Sequence, residues 1–435
     1  MKIRQTPFAG PRRLLALAQL SNSVGDGAYY VTSALYFTHV VGLTPAHVGL
    51  GLTVAWAIGS VAGVPLGRLA DRHGPRGTSV LLALTTSAAV ASFLFVRAFL
   101  PFVLAACLYA TAQSGLAAAR QSLLAGLVPQ SERTGLLARL QATLNAGLAV
   151  GAALGGVALH AGTTRAYLTV FAMDAASFLA CALLLWRLPR VEPVPTGKDG
   201  RLMVLRDRPY VVVALLNTVL LLRMPLLSLG LPLWITERTT APAWLVSALF
   251  VLNTAAVMLF QVRTARGVTG LGTAVRAVRR SGAVMFVTCA VFAVSAYGSS
   301  PWVAVTALLA GSVLLVVAEM LHSAGSWQLG FGLAPADRIG EYQGLFGTGV
   351  TVARTLGPLL LTALLVDWGT PGWAVLGGLI LAASYAMGPA ARRSARQRDA
   401  EDGAARSAGD VDGALVAGDH GVHDGEAEAG AARTA

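Results

Sequence analysis

The chain has 435 residues, of which 55% are hydrophobic and only 12% are charged, and its formal net charge is +12. A soluble domain carries about twice that fraction of charged residues, so the composition excludes an ordinary soluble protein. The basic residues lie at the ends of long apolar blocks rather than on one face, which argues against nucleic acid as a partner. We therefore expect the lipid bilayer to surround most of the chain.

The apolar blocks predict twelve membrane-spanning helices, because a helix needs about 20 residues to cross the hydrocarbon. They lack the alternating pattern of membrane β-strands, so we expect an all-α polytopic fold. The first block is longer than a signal-peptide core, and no cleaved signal peptide is expected. The predicted spans are 14–38, 46–67, 78–98, 100–124, 136–159, 166–187, 209–233, 242–262, 281–298, 301–323, 342–366 and 371–390.

Lysine and arginine concentrate in every second loop, and the odd-numbered loops hold only Arg97, Arg165 and Arg238. By the positive-inside rule, both termini are then cytoplasmic. The near absence of lysine beside abundant Arg, Ala and Gly suggests a GC-rich bacterial genome, and hence the cytoplasmic membrane. The predicted domains are an N-terminal segment 1–13, six-helix bundles at 14–187 and 209–391 around a cytoplasmic loop 188–208, and a tail 392–435. The tail is expected to be disordered because it has few large apolar residues.

The first span contains an acidic residue, Asp26, about one turn after Asn22. Spans 2 and 3 are joined by a charged segment, 67–77, that is expected to be a short cytoplasmic loop. Its pattern is Gly67-x-Leu-Ala-Asp71-Arg72-x-Gly74-x-Arg76. The fifth span carries Gly147-x-x-x-Gly151-Ala152-x-x-Gly155-Gly156. Such glycine spacing also occurs wherever membrane helices pack closely.

The two halves of the chain repeat each other at an offset of about 200 residues. The matching segments are 20–24 with 215–219, 129–135 with 335–340, and 147–155 with 349–357. Duplicated six-helix halves are typical of secondary transporters, whose substrate site lies near the midplane between the halves.

Ionisable groups near the membrane centre cost at least about 2.5–3.5 kcal/mol each, so they usually face a cavity. The candidates are Asp26, Arg223, Glu319 and Arg354, with His322 on the helix face of Glu319. We expect Asp26 to pair with Arg223, or Glu319 with Arg354, in a pair that opens when a proton binds. Burial disfavours an ionised carboxylate and a nearby arginine favours it, which is the competition that proton coupling needs.

Several uncharged side chains are candidates for lining a substrate cavity, although polar and aromatic residues also bridge helices or anchor them at the interface. They are Asn22, Tyr30, Trp56, Asn145, Asn217 and Asn253. Asp174 is expected to be a packing or interfacial residue. The three cysteines, Cys107, Cys181 and Cys289, are expected to pack in the core and not to bind a metal.

Taken together, the twelve spans, the central loop and the segment from Gly67 to Arg76 resemble the major facilitator superfamily over about residues 12–391. The resemblance implies a twelve-helix fold of two pseudo-symmetric bundles. It also implies that the carboxylate of Asp71 docks against charges and helix ends of the opposite half, as a latch of the outward-open state. The counterpart segment around 263–280 is basic but has no acidic residue, so the latch should depend on Asp71 alone.

The glycine pattern of span 5 is similar to the antiporter motif of exporters in that family. Ala152 stands where the motif has proline, so the helix bend that proline would supply is not assured. A further family pattern is not kept, because no arginine precedes Gln113-Ser114-Gly115 in span 4.

The lead hypothesis is a proton-coupled exporter of hydrophobic or amphiphilic small molecules, such as drugs or secondary metabolites. We expect a monomer without a cofactor or metal, driven by the proton gradient. One alternative is a facilitator or importer of a small metabolite, and another is a non-transporting membrane sensor on the same scaffold. An enzyme is disfavoured because no Ser/His/Asp grouping, metal-ligand spacing or phosphate-binding loop is found.

Overall fold

The computed structural model of the protein describes residues 10–193, 203–242, 244–297 and 300–431, with side chains described except at 45, 46, 247, 358 and from 401 onward. Within these ranges the chain is helical and has no β-strand, which confirms the predicted all-α class. Residues 1–9 of the predicted N-terminal segment, 194–202 of the predicted central loop and 432–435 of the tail lie outside the described residues.

The first six helices form the N-half of the molecule. Proline occupies the first turn of α1, α2 and α3, where its missing N–H is not needed. A five-residue π-turn, Tyr36–Val40, prolongs α1. The bounds are α1 Pro11–Leu35, α2 Pro45–His73, α3 Pro75–Ser92, α4 Phe99–Leu127, α5 Gln130–Ala161 and α6 Thr164–Trp186.

The remaining seven helices form the C-half. Between α7 and α8 the helix is interrupted around Arg223 and Pro225, and a π-turn, Leu226–Gly230, leads into α8. A second π-turn, Thr362–Asp367, follows α12. The bounds are α7 Arg208–Leu221, α8 Leu231–Arg238, α9 Trp244–Arg266, α10 Leu271–Val294, α11 Pro301–Gly332, α12 Ile339–Leu361 and α13 Thr370–Ala431.

Ten helical segments in the described residues are long and apolar enough to span a bilayer, with α7 and α8 counted as one segment. A bent pair, Ile339–Gly357 and Leu359–Asp367, makes an eleventh, and its two parts meet at 44°. Helix α1 is the predicted span that this criterion omits. Its polar residues, including Asn22 and Asp26, lower its hydropathy, but they are buried inside the protein.

Two boundaries differ from the predictions. Most of the segment 67–77 is helical, because α2 continues to His73 and α3 begins at Pro75. The turn is made at Gly74, whose φ of 96° favours glycine. The structure also continues α13 to Ala431, where disorder was predicted. Alanine is the commonest residue of this tail and has the highest helix propensity, which favours continuation of the helix.

The packing repeats between the halves. Helix α1 contacts α5 and α6, and α7 likewise contacts α12 and α13. The halves meet where α2 packs against α12 and α5 packs against α9, with further contacts of α4 to α12 and α5 to α11. We call the end of the bundle at which α2 ends and α5 and α12 begin the basic end, since the arginine-rich junctions lie there.

Candidate functional site

The N-half holds a polar cluster around Asp26, whose side chain is only 6% exposed. Its Oδ1 accepts hydrogen bonds from the Tyr109 hydroxyl at 3.2 Å and from Gln113 Nε2 at 3.3 Å. Its Oδ2 accepts from Asn22 Nδ2 at 3.3 Å. All three donors are neutral, and no ion pair within 4 Å reaches Asp26 from the described side chains. The carboxylate is therefore held by uncharged groups.

An arginine is connected to this cluster through an amide. Arg120 Nη1 donates to Asn22 Oδ1 at 3.3 Å, while Asn22 Nδ2 donates to Asp26. Arg120 and Arg354 are both near enough to Asp26 to attract its negative charge. The positive charges thus act on Asp26 from a distance, and neither of them touches it.

The C-half holds a continuous network in the described residues of α7, α9 and α11 and the α7–α8 break. Arg223 Nη1 lies 3.8 Å from Glu319 Oε1, and Arg223 Nη2 lies 2.9 Å from His322 Nδ1. His322 Nε2 lies 3.1 Å from Asn217 Oδ1. Asn253 Nδ2 donates to Glu319 Oε2 at 3.0 Å. The network places a direct ion pair between the first and fourth spans of this half.

The hydrogen bonds of His322 define its protonation in this network. An arginine only donates, so His322 Nδ1 must accept from Arg223 and carry no proton. Nε2 then carries the proton and donates to Asn217 Oδ1. A neutral imidazole therefore fits the geometry, and a proton on Nδ1 would remove the bond to Arg223.

Both of the predicted charge pairs are wrong. Asp26 does not pair with Arg223, which is bonded to Glu319 and His322 instead. Glu319 does not pair with Arg354, which has no hydrogen bond or ion pair with a described side chain. The spacing of residues along one helix specifies a face of that helix, but tertiary packing decides which of the other helices this face meets.

Arg354 and Tyr30 are the more accessible members of the predicted set. Arg354 is exposed on α12, in the C-half, and Tyr30 is 47% exposed on α1, in the N-half. Tyr30 is nevertheless close enough to both Asp26 and Arg354 to feel their charges. Tyr30 and Arg354 therefore differ from Asp26 and Arg223, whose side chains are buried.

The other predicted cavity residues are divided between the two clusters and their surroundings. Asn22, Asn217 and Asn253 belong to the hydrogen-bonded clusters. The Trp56 ring lies 6.2 Å from the Tyr109 ring, edge to face, beside the Asp26 cluster. Among the described residues, Asn145 is bonded only along its own helix, accepting from Gln141 Nε2 at 3.4 Å. The structure thus brings together most, but not all, of the predicted polar residues.

The buried Asp174 was expected to be a packing residue, and it lies fully buried on α6 against α1. Its Oδ1 is 3.3 Å from Ser177 Oγ, and its Oδ2 has no hydrogen-bond partner. A Cβ at Gly25 would collide with both of these side chains. Close approach of α1 and α6 at this point therefore requires glycine.

At the basic end, Asp71 contacts the opposite half. Its Oδ1 accepts from Ser122 Oγ at 2.7 Å and from the Gly340 N–H at 2.9 Å. Its Oδ2 accepts from the Glu341 N–H at 2.9 Å. Because α12 begins at Ile339, the N-half carboxylate caps the first turn of a C-half helix, where the helix dipole favours a negative charge.

Four glycines bring the backbones of α2 and α12 together beside Asp71. A Cβ on Gly67 would collide with the Gly340 carbonyl, and a Cβ on Gly344 would lie 2.5 Å from the Gly63 carbonyl oxygen. Each helix thus presents a Gly-x-x-x-Gly pair to the other. The spacing of small residues in both helices could have predicted this contact from the sequence.

The remaining residues of the signature segment stabilise the N-half itself. Gly74 makes the turn, and Arg72 is exposed. The Arg76 guanidinium donates to the Trp186 carbonyl and lies 5.3 Å from the centre of the Trp186 ring. Arg76 therefore ties α3 to the end of α6.

Two further contacts close the basic end. Thr134 Oγ1 donates to Gln328 Oε1 at 2.8 Å, and Arg133 lies over the Phe331 ring at 5.7 Å. Next to them is a crevice of about 470 Å³ between the start of α5 and the turn before α10. It is lined by Gln130, Ser131, Thr269, Gly270, Leu271, Gln328, Gly332, Leu333 and Ala395.

The antiporter-like glycines lie in the contact between α5 and α1. Gly147, Gly151 and Gly155 are buried, and Cβ atoms there would press on Ser23, on the Val24 carbonyl and on Ala28. Gly156 has open space around it. Three of the four glycines therefore act as close-packing residues.

The partners of Asp26 on α4 were not predicted from the sequence. Tyr109 and Gln113 are spaced by four residues, and Gln113 Nε2 also donates to the Tyr109 hydroxyl at 3.0 Å. Two polar residues at this spacing in an apolar span were the available signal.

In the described residues, no group of three His, Cys, Asp or Glu side chains is placed to hold a metal ion.

Comparisons with known proteins agree with this architecture. A family model described as Major Facilitator Superfamily matches residues 15–358. An uncharacterized MFS-type transporter of Bacillus subtilis (strain 168), YhjO, is 25% identical over 313 residues, which are 70% of this chain and 73% of that protein.

Solved structures show the same fold at 16% sequence identity. A bacterial homologue of the iron transporter ferroportin, in an outward-facing state, superposes with a TM-score of 0.69 over 88% of this chain and 99% of its own. The human organic anion transporter MFSD10 (TETRAN) superposes with a TM-score of 0.63 over 88% of this chain and 100% of its own. The chain is a membrane transporter that belongs to the major facilitator superfamily.

Proposed function

We propose that the protein exports hydrophobic or amphiphilic small molecules across the cytoplasmic membrane in exchange for protons. The observation that carries this proposal is the environment of Asp26. A buried carboxylate at membrane depth is expensive and usually functional. Here it is held by the neutral donors Tyr109, Gln113 and Asn22, so it can gain or lose a proton without an ion pair having to break.

Competition for Asp26 would couple export of the substrate to uptake of protons. An ionised Asp26 attracts a positive or polar part of the substrate. A proton added to one of its carboxylate oxygens removes that charge and weakens the attraction, so that substrate and proton exclude each other. A proton taken up from outside then releases the substrate there.

Alternating access would follow from the contacts at the basic end. That end faces the cytoplasm by the positive-inside rule, so the contacts of Asp71 with Gly340 and Glu341 would close the cytoplasmic side. The space beside Tyr30 and Arg354 would then open outward. Opening to the cytoplasm requires Asp71 to leave the first turn of α12. The proposed transporter works as a monomer in the bilayer, with the proton gradient as its energy source and no cofactor.

Everted membrane vesicles test this proposal, with ethidium as a fluorescent amphiphile and an imposed pH gradient. We expect the wild-type protein to accumulate ethidium in the acidic lumen and the Asp26→Asn variant to lose at least about 90% of that activity. Glu237→Gln is the control, because Glu237 is an exposed carboxylate on α8, away from the polar clusters. Full pH-driven accumulation by Asp26→Asn would remove Asp26 from the mechanism.

A second candidate is import of an anionic metabolite together with a proton. It is favoured by the exposed guanidinium of Arg354, which is bonded to none of the described side chains. A proton on Asp26 would then strengthen substrate binding near Arg354, because it removes a competing negative charge. The two candidates predict opposite effects of pH. Acidification weakens substrate binding in an exchanger and strengthens it in an importer of this kind, which equilibrium binding at two pH values decides.

A further inference from the structure

The crevice at the basic end is lined by both halves of the protein. Its volume of about 470 Å³ lies in the range of small-molecule sites. Gln130 and Ser131 of α5 form its N-half wall, and the turn before α10 with parts of α10, α11 and α13 forms its C-half wall. None of the described residues that line it is acidic. A molecule held here would therefore touch both halves at the end that the Asp71 contacts close.

Two side-chain amides, one from each half, approach one point in this crevice. A Cβ placed on Gly332 would lie 3.8 Å from Gln328 Nε2 and 4.0 Å from Gln130 Nε2. Gln328 is only 8% exposed, and its Oε1 already accepts from Thr134 Oγ1. Neither amide nitrogen donates a hydrogen bond to any of the described residues. A buried donor without an acceptor is unfavourable, so an acceptor placed between the two amides would stabilise both.

Helix ends make the same region favourable for negative charge. Both α5 and α10 begin at the crevice, and the first residue of each lines it. The first N–H groups of a helix have no partner within it, and the helix dipole is positive at that end. The end of α11 lines the crevice too, but its Gly332 carbonyl already accepts from Arg398 Nη1 at 3.1 Å. The walls therefore offer hydrogen-bond donors and positive helix ends.

The charged side chains around the crevice also favour an anion. The Arg133 guanidinium, in the first turns of α5, lies 5.7 Å from the centre of the Phe331 ring at the end of α11. Arg398 reaches the same end of α11 from α13. The carboxylate of Glu132, next to Arg133, is paired with Arg12. The two arginines thus place positive charge beside the crevice, while the neighbouring carboxylate is compensated.

We propose that the crevice binds a small soluble phosphorylated molecule through its phosphate group, which bridges Gln130 of the N-half and Gln328 of the C-half. Phosphate oxygens accept several hydrogen bonds, and helix N-termini are suited to binding them. The volume leaves room for a small organic part beside the phosphate. The bridge stabilises the closed basic end. Inhibition of transport by this ligand rests on the proposed function, in which the basic end must open to the cytoplasm in each cycle.

Three matched glutamine-to-glutamate variants test the site. Gln328→Glu and Gln130→Glu keep the shape of the side chain but replace the donor with a negatively charged acceptor. Binding of radiolabelled inorganic phosphate to the purified full-length protein in detergent is measured by equilibrium dialysis, with chloride holding the ionic strength constant. We expect saturable binding by the wild-type protein and at least about tenfold weaker binding by both variants, as expected for a lost hydrogen bond to a charged group.

Gln397→Glu is the control, because Gln397 is exposed on α13 at the same end and does not line the crevice. It should change the dissociation constant less than about twofold. Absence of saturable binding by the wild-type protein would overturn the proposal. So would unchanged binding by Gln130→Glu, whose exposed position tolerates the substitution, or an equal loss in Gln397→Glu. Displacement of phosphate by phosphatidic acid in mixed micelles would overturn the soluble source and assign the site to a lipid headgroup.

Everted vesicles test the inhibition, because they expose the basic end to the medium. We expect inorganic phosphate to slow ethidium accumulation by the wild-type protein at least about twofold relative to chloride, and to leave Gln130→Glu unaffected. Equal slowing of both proteins would overturn the inhibitory role. Failure of phosphate binding with intact ethidium transport refutes only the site, and phosphate binding without ethidium transport refutes only the exporter.

Discussion

The two halves of the protein share one hydrogen bond but differ in the charged groups that surround it. In each half an asparagine of the first span accepts a hydrogen bond from a basic side chain of the fourth span. The pairs are Asn22 with Arg120 in the N-half and Asn217 with His322 in the C-half. The equivalent positions are separated by about 200 residues, the offset of the internal repeat.

The surroundings of this shared bond have diverged. In the C-half, Arg223 and Glu319 touch at 3.8 Å, so their charges are mutually compensated. In the N-half the amide of Asn22 stands between Arg120 and Asp26. The internal repeat thus preserved the packing and this hydrogen bond, while the charged groups around the bond differ between the halves.

The largest expected effect concerns the C-half ion pair. Arg223→Met should destabilise the protein by about 3 kcal/mol, because it leaves Glu319 without its counter-ion. Arg120→Met should cost only about 1–2 kcal/mol, since it removes one hydrogen bond to a neutral amide. Equilibrium unfolding in mixed micelles measures both. Adding Glu319→Gln should recover part of the stability that is lost in Arg223→Met. Equal destabilisation by Arg223→Met and Arg120→Met would refute the difference between the two halves.

A second comparison uses one glycine from each half, Gly151 on α5 and Gly349 on α12, each on a helix that packs against the first span of its half. Gly151→Ala should cost about 1–3 kcal/mol, because the new Cβ meets the Val24 carbonyl in the backbone of α1. In Gly349→Ala the Cβ meets the Thr218 hydroxyl at 2.6 Å, a side chain that can rotate, so the cost should stay below about 1 kcal/mol.

Gly156→Ala is the matched control for this pair, because open space surrounds Gly156. The same unfolding measurement applies. A cost at Gly349 as large as that at Gly151 would mean that the two halves are equally rigid at this contact.

The smallest effect concerns closure of the basic end, where only the N-half supplies an acidic latch. In Asp71→Asn, an NH2 group replaces one carboxylate oxygen and cannot accept the hydrogen bond from the Glu341 N–H. We therefore expect the ratio of closed to open states at the basic end to fall about tenfold. Pulsed EPR between labels at Ser131→Cys and Ala336→Cys, two exposed sites in opposite halves, reports the shift.

Substrate binding should remain largely intact in Asp71→Asn. Glu132→Gln is the control, because Glu132 pairs with Arg12 inside the same half. Equal loss of binding and of closure would contradict the latch.

The architecture could be predicted from the sequence because it depends on local composition. Apolar blocks, the basic loops and the repeat predict the superfamily fold, and the signature segment placed Asp71 at an interface. The limits of the helices were harder to predict. Helix α2 runs past charged residues to Gly74 because its last turn is packed against the other half, a tertiary effect that the charge pattern does not contain.

The site was predicted as a set of residues but not as a set of pairs. Asp26, Arg223, Glu319 and Arg354 were identified because charges at membrane depth are rare. Which of them touch depends on how helices distant in sequence are rotated against each other. Polar residues of ordinary type, such as Tyr109 and Gln113, are distinguished from packing residues only when their neighbours are known.

The paired glycines of α2 and α12 have a consequence for the speed of switching. The surfaces at Gly63, Gly67, Gly340 and Gly344 meet through backbone atoms, so separating them unlocks no interdigitated side chains. The activation barrier there should come mainly from rehydrating the Asp71 carboxylate and the N–H groups that it caps. We therefore expect the speed of opening at this end to depend on hydration of Asp71 and on loss of the contacts of Thr134 with Gln328 and of Arg133 with Phe331, rather than on repacking of side chains between α2 and α12.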